Sequence, residues 1–200
     1  MNNNYVIDLI DNYITLESIK HNKNDHNENI IYVKDLCFCK EKSILRKKYK
    51  HIDLEVLKQP QVKLGILLHK AIQSILEYHN FDIEVPGELN VNGYIIRGRI
   101  DAIYYMHNKK YGVELKFSEN IIEPYFKQVK MYNTIFDLEH TTLISVTERK
   151  FIVKEISERY EKETILKFIN NWKSPQYDFE CKTCYYAQFC NIVKQKRLQL

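Results

Sequence analysis

Asp101, Glu114 and Lys116 lie in two segments, GRIDAIYY and YGVELKF, whose patterning reads as adjacent strands. Residues two apart on a strand share a face, roughly 6.5–7 Å apart along the chain. Glu114 and Lys116 therefore point one way, and Val113, Leu115 and Phe117 the other. A hairpin between the segments would set Asp101 beside the first pair. Two acids and a lysine grouped between apolar strands are costly unless something compensates the charge. A divalent cation would do so, because magnesium and manganese take hard oxygen ligands. The carboxylates would hold the ion, and the ion would activate water and stabilise charge on a phosphoryl group. The lysine would orient the attacking water or offset charge in the transition state. On spacing alone an ordinary cross-strand salt bridge is the better reading, so neighbouring features must decide.

The five cysteines fall in two places, Cys37 and Cys39 early, and Cys181, Cys184 and Cys190 late. A CxxC with a third cysteine six residues on has ligand spacing. Three thiolates need a fourth ligand to close a zinc or iron–sulfur site, and one of the early cysteines is the candidate. Spacing does not choose between the metals. Such a site would close a loop over most of the chain and restrict the unfolded state. The alternative is a set of buried thiols. His69 lies within the helical run GILLHKAIQSILEY, where a core or boundary histidine is the plain reading. Gln128 and Tyr132, four apart on a later helix, share a face.

These residues need elements to hold them. A short helix is expected over Val6–Leu16 and a loop over Asn22–Asn29. Val33–Tyr49 reads as one helix with Leu36, Ile44 and Leu45 inward, and Gly65–Tyr78 as another, with Leu68, Ile72, Ile75 and Leu76 at helical spacing. Glu88–Val91 can pair with Tyr94–Ile96 across Asn92-Gly93. The second strand continues to Tyr105, and His107–Lys110 turn the chain into Tyr111–Phe117. A helix over Ile121–Asp137 with Pro124 in its first turn follows, then strands at Thr141–Thr147 and Phe151–Val153. Ile156–Trp172 reads as a last long helix, with Tyr160, Ile165, Phe168 and Ile169 on its apolar stripe. This order predicts an α/β fold with a mixed central sheet flanked by helices.

At 200 residues with 44% apolar content, the chain can build a sizeable core. A net charge of +4 is too mild to argue for nucleic acid by itself. Its distribution says more: Lys40, Lys42, Arg46, Lys47, Lys48 and Lys50 crowd one segment, to be read as a solvated face or as phosphate contacts. No apolar run is long enough to span a bilayer, and the polar start lacks a signal-peptide pattern. A cytoplasmic protein is expected, in which grouped cysteines suggest metal or cluster ligands before disulfides.

Taken together and in order, HKAI (His69), RIDA (Asp101), ELK (Glu114, Lys116), QVKMY (Gln128, Tyr132) and the late cysteines resemble the RecB-like branch of the PD-(D/E)XK nucleases. The resemblance is strongest to the CRISPR-associated exonucleases of the fourth Cas protein family, or a viral or stand-alone relative. It implies a restriction-endonuclease-like core at about residues 63–172, after a basic helical part (31–62) and before a cysteine region (173–200); the polar extension ahead of these (1–30) is a departure from the family pattern. It implies Mg2+ or Mn2+ at His69, Asp101 and Glu114, a catalytic Lys116, and DNA-facing Gln128 and Tyr132. It also implies an iron–sulfur site joining the N- and C-terminal segments, usually [4Fe–4S], with [2Fe–2S] or zinc as alternatives. The family's aromatic–cysteine pair aligns with Phe38-Cys39 and so favours Cys39 as fourth ligand. The activity implied is cleavage of single-stranded DNA, often from a 5′ end, with the CRISPR integrase complex and a homo-oligomer as conceivable assemblies. A catalytically silent DNA-binding subunit is the competing function.

Overall fold

The computed structural model describes residues 9–16 and 29–193. Residues 9–16 are helical (α1); the start of the early helix, and the expected loop over residues 22–28, lie outside the described residues. Then β1 (Ile30–Tyr32), α2 (Val33–Leu36), α3 (Lys40–Lys48), α4 (Lys50–Leu57) and α5 (Pro60–Tyr78) lead into three long strands. These are β2 (Asp82–Val91), β3 (Tyr94–Met106) and β4 (Lys109–Lys116). They are followed by α6 (Glu123–Phe136), β5 (His140–Val146), β6 (Phe151–Ile156) and α7 (Lys162–Asn170).

The described strands form one six-stranded mixed sheet with β3 as its axis. β2 runs antiparallel along one edge of β3, from Val91 opposite Tyr94 to Asp82 opposite Ile103. The Asn92-Gly93 link has φ of 49° and 85°, the left-handed pair that a two-residue hairpin turn requires. His107 and Asn108, at φ 50° and 60°, make the next turn the same way, so Lys109 and Lys110 already belong to β4. The other edge of β3 is shared. β1 pairs parallel with Ile95–Arg97, whereas β4 pairs antiparallel with Ala102–Met106. Between these stretches the sheet forks, and Asp101 stands at the fork. β5 lies parallel to β4, and β6 antiparallel to β5.

Helices cover both faces. Met131, Tyr132 and Phe136 of α6, with Ile165 and Ile169 of α7, pack on Ile96, Ile100 and Ile103 of β3. On the opposite face Ile72 and Leu76 of α5 meet Ala102, Val113 and Leu115. Ile100 and Ile103 share a cluster while Ala102 joins the other, so the strand's alternation changes phase at Asp101. Asn133, fully buried on α6, donates to the Ile156 and Glu158 carbonyls and accepts from Thr141 Oγ1, pinning helix to sheet. Gly98 allows α6 to approach: a Cβ there would lie 2.6 Å from Tyr132 Cε1. Gly98→Ala is expected to cost about 1–3 kcal/mol of stability by displacing Tyr132, to be measured by chemical denaturation.

Three expectations need correction. Val33–Tyr49 is not one helix. It breaks at Cys37–Cys39, where tertiary partners take the backbone: Cys39 N–H donates to Glu180 Oε1, and the Phe38 carbonyl accepts from Trp172 Nε1. The break rotates Ile44 outward to 49% exposure, while Leu36 and Leu45 stay buried. The last helix starts only at Lys162, because Asn133 and Thr134 occupy backbone groups of residues 156, 158 and 160. On α5, Ile72 and Leu76 face the core, but Ile75 is 59% exposed and Leu68 also faces out; the helix begins five residues earlier than expected, at Pro60.

Candidate active site

Glu114 and Lys116 lie at the end of β4, just beyond its pairing with β3, which stops at Ala102 opposite Val113. There the Leu115 N–H has no strand partner on that side, and Asp101 Oδ2 accepts it at 2.7 Å. The other Asp101 oxygen lies 3.3 Å from His69 Nε2 of α5. Glu84 completes the group, its Oε1 3.8 Å from the same imidazole nitrogen. His69, Glu84 and Asp101 can each offer a ligand atom within 4.8 Å of the others.

Glu114 is adjacent but turned. Its Oε1 accepts from Lys116 Nζ at 2.6 Å and from Gln128 Nε2 at 2.9 Å. Gln128 also donates to Tyr132 OH at 2.9 Å, so the two α6 residues act as one unit behind Glu114. The second Glu114 oxygen is buried without a hydrogen bond, and so is His69 Nε2. A buried carboxylate oxygen left without a donor fits a cation as the missing partner.

The electrostatics agree with that gap. Burial, and then the Asp101 charge, push the Glu114 carboxyl up to about 7 against the pull of Lys116. Burial lowers the Lys116 ammonium, but Glu114 and Asp101 outweigh it and hold its pKa above the ordinary lysine value. Burial likewise depresses His69, and Asp101 and Glu84 more than restore it. Two carboxylates are thus crowded beside one fixed cation, an arrangement that a further positive charge would relieve.

Sequence reasoning placed His69, Asp101, Glu114, Lys116, Gln128 and Tyr132 in the site, and the fold brings all six to the β3–β4 fork. It missed Glu84. The signal was present in the hairpin: the register set by Asn92-Gly93, carried back from Val91 opposite Tyr94, puts Glu84 between Ile83 and Val85, which face Ala102 and Ile100. Glu84 therefore falls opposite Asp101. It departs from strand geometry with φ 55°, and is held by Arg99 at 2.5 Å and Gln73 at 2.6 Å.

The cysteines separate. None is in a disulfide. Cys37 is fully buried in the central core, and burial pushes its thiol up to about 12. Cys39 instead caps α3, and its N–H reaches Glu180, the neighbour of Cys181 in sequence. Cys184 and Cys190 pack with Leu45 of α3 and Ile52 of α4. Glu180 was not singled out in the sequence either; its carboxylate also accepts from the Gln176 and Tyr177 N–H groups at 2.7 and 2.9 Å. Lys127, next to Gln128, donates to the Leu36 carbonyl and to Gln176 Oε1. A hydrogen-bonded clasp thus joins the early cysteine turn, the late cysteine segment and α6. Among the described residues no three sulfurs lie within 4.8 Å of one another.

No helix among the described residues is long and apolar enough to cross a membrane. No protein-family model matches the chain. The chain is similar to the CRISPR-associated exonuclease Cas4 of Saccharolobus solfataricus, 30% identical over 189 residues that cover 87% of this chain and 92% of that one. Among solved structures, the crystal structure of SSO0001 matches with a TM-score of 0.85 at 28% identity, covering 94% of this chain and 97% of the other. An alkaline exonuclease from Laribacter hongkongensis (LHK-Exo) gives a TM-score of 0.46 at 9% identity, over 86% and 93% of the two chains.

Proposed function

The chain belongs to the Cas4 family of CRISPR-associated exonucleases, and from that membership we propose that it is a divalent-metal-dependent nuclease that cleaves single-stranded DNA. The observation that carries the reading is the meeting of His69, Asp101 and Glu84 beside the Glu114–Lys116 pair, with a buried Glu114 oxygen left without a donor. His69, Asp101 and Glu114 would hold Mg2+ or Mn2+, with Glu84 at the edge of the same site. When bound, such an ion supplies Lewis acidity to a phosphoryl oxygen and to water. Asp101 divides its two oxygens between the site and the Leu115 N–H, which fixes its orientation. Glu114 and Gln128 fix the Lys116 ammonium where it can orient an attacking water or meet developing charge. Gln128 and Tyr132, both buried, brace that carboxylate from behind rather than facing the DNA as expected.

The cysteine region fits a cluster held by Cys39, Cys181, Cys184 and Cys190, with Cys37 left in the core. A tetrahedral zinc, at about 2.3 Å from each sulfur, would want the thiolates about 3.8 Å apart. The family pattern favours an iron–sulfur cluster, [4Fe–4S], with [2Fe–2S] or zinc as the alternatives. DNA trimming from a 5′ end, alone or with the CRISPR integrase, is the pathway this activity would serve.

End-labelled single-stranded DNA incubated with Mn2+, Mg2+ or chelator tests the activity. Cleavage that needs the metal, and differs between 5′- and 3′-blocked strands, is the expected result. Absence of cleavage with every divalent ion, despite tight binding, would overturn it. Glu84→Gln is expected to raise the Mn2+ concentration for half-maximal cleavage about 10- to 100-fold, as supporting ligands of metal sites do. A metal titration of the rate checks this.

A further inference from the structure

Beside the catalytic lysine lies a cavity of about 240 Å³ between α2, α3 and α6. Lys116 and Gln128 line it together with the Phe38-Cys39 turn and Lys42, Ser43 and Arg46 of α3. Two aromatic rings, Phe38 and Tyr125, line it. Each already carries a cation near its face: Lys42 Nζ is 5.8 Å from the Phe38 centroid, and Lys116 Nζ 5.2 Å from that of Tyr125. Lys34 and Arg46 add two more cations, against the single carboxylate of Asp35, which Arg46 engages at 2.7 Å.

We propose that this cavity is the subsite for one unpaired nucleotide of the DNA strand, adjacent to the phosphodiester that is cut. The inference rests on the nuclease reading and adds to it the chemistry of the substrate. Aromatic faces accept any base by stacking, and the surrounding cations take the phosphate that comes with it. The volume is enough for a single base. A base lodged among these side chains has left its stack and its pairing partner, which makes the cavity a selector for single strands and frayed ends. Part of the basic run is thereby given a use: Lys42 and Arg46 face the cavity rather than forming only a solvated helix face. The cysteine region gains a second consequence, because the turn bearing Cys39 supplies Phe38 and so shapes the wall beside Lys116.

The experiment compares wild type with Phe38→Leu, which keeps an apolar side chain and removes the ring, and with Phe38→Tyr, which restores it. Substrates are a single strand and the same strand carrying an abasic position one nucleotide from the cut. The expected result is a KM about tenfold or more higher for Phe38→Leu on the normal strand, with the loss falling on KM more than on kcat, and recovery in Phe38→Tyr. The abasic strand should cost wild type a similar factor and cost Phe38→Leu little further. Equal KM values, or two losses that simply multiply, would overturn the subsite. Binding of a fluorescein-labelled single strand in chelator separates this outcome from a failure of the nuclease reading. If wild type does not cleave at all, weaker binding by Phe38→Leu and Lys42→Ala upholds the subsite, and unchanged binding rejects it.

Discussion

Asp101→Asn is expected to lower cleavage of single-stranded DNA by about 10³-fold or more while leaving the fold intact. The substitution removes one charge and almost no volume. The asparagine carbonyl oxygen can still accept the Leu115 N–H, so the fork between β3 and β4 keeps its geometry. What disappears is the anionic oxygen that faces His69 and Glu84. Losing several kcal/mol of electrostatic stabilisation at a phosphoryl group corresponds to three orders of magnitude or more. Stability should move the other way. Asp101 is one of the charges that raise the Glu114 carboxyl, so deleting it relieves a repulsion between buried acids. In chelator the melting temperature of Asp101→Asn should equal or exceed that of wild type, and its rise on adding Mn2+ should be smaller. Cleavage retained by a folded Asp101→Asn protein would remove these residues from the chemistry. A collapse in melting temperature would instead make Asp101 a structural cap.

The catalytic strands were legible because their information is local. The Asn92-Gly93 turn sets the register of β2 and β3, alternation sets the faces of β4, and both periodicities hold in the structure. The fork was not legible. It depends on β1, a three-residue strand from far upstream, pairing with the stretch of the shared β3 edge that β4 leaves unpaired. The fork explains why Asp101 can serve both a backbone N–H and the site, and why the alternation of β3 changes phase there. Glu84 could have been read from the register, but its left-handed backbone and its links to Arg99 and Gln73 arise only in three dimensions. The helix errors share one cause. Propensity and periodicity continue a helix wherever nothing local stops it, whereas Cys37–Cys39 and residues 156–160 are held out of helix by distant groups: Glu180 and Trp172 in one case, Asn133 and Thr134 in the other. Glu180 and Lys127 carry no motif. As buried charged residues they are recognisable only by what they bond.

Cys184→Ser is expected to abolish a brown chromophore and to lower the melting temperature by about 10–20 °C. The clasp around Glu180 spans 141 positions of sequence through one hydrogen bond, but such bonds exist only in the folded state. A cluster that retained its thiolates would hold the early turn and the late segment together in the unfolded chain as well. In the chain-entropy view, closing a loop of about 140 residues is worth about 5 kcal/mol. At roughly 2–4 °C per kcal/mol for a chain of this size, that gives the stated range. Cys39→Ser should match it in both readouts. Cys37→Ala should keep the chromophore, because that thiol lies in the core among Val33, Leu36 and Ile96 and away from the late cysteines. Cleavage by Cys184→Ser should fall less than in Asp101→Asn, since the fork and its acids are held by β3, β4 and α5 rather than by the cysteines. A colourless wild-type protein, with a melting temperature indifferent to Cys184→Ser, would reduce the region to the hydrogen-bonded clasp. Glu180→Gln would then become the more damaging change, because three backbone N–H groups converge on that carboxylate.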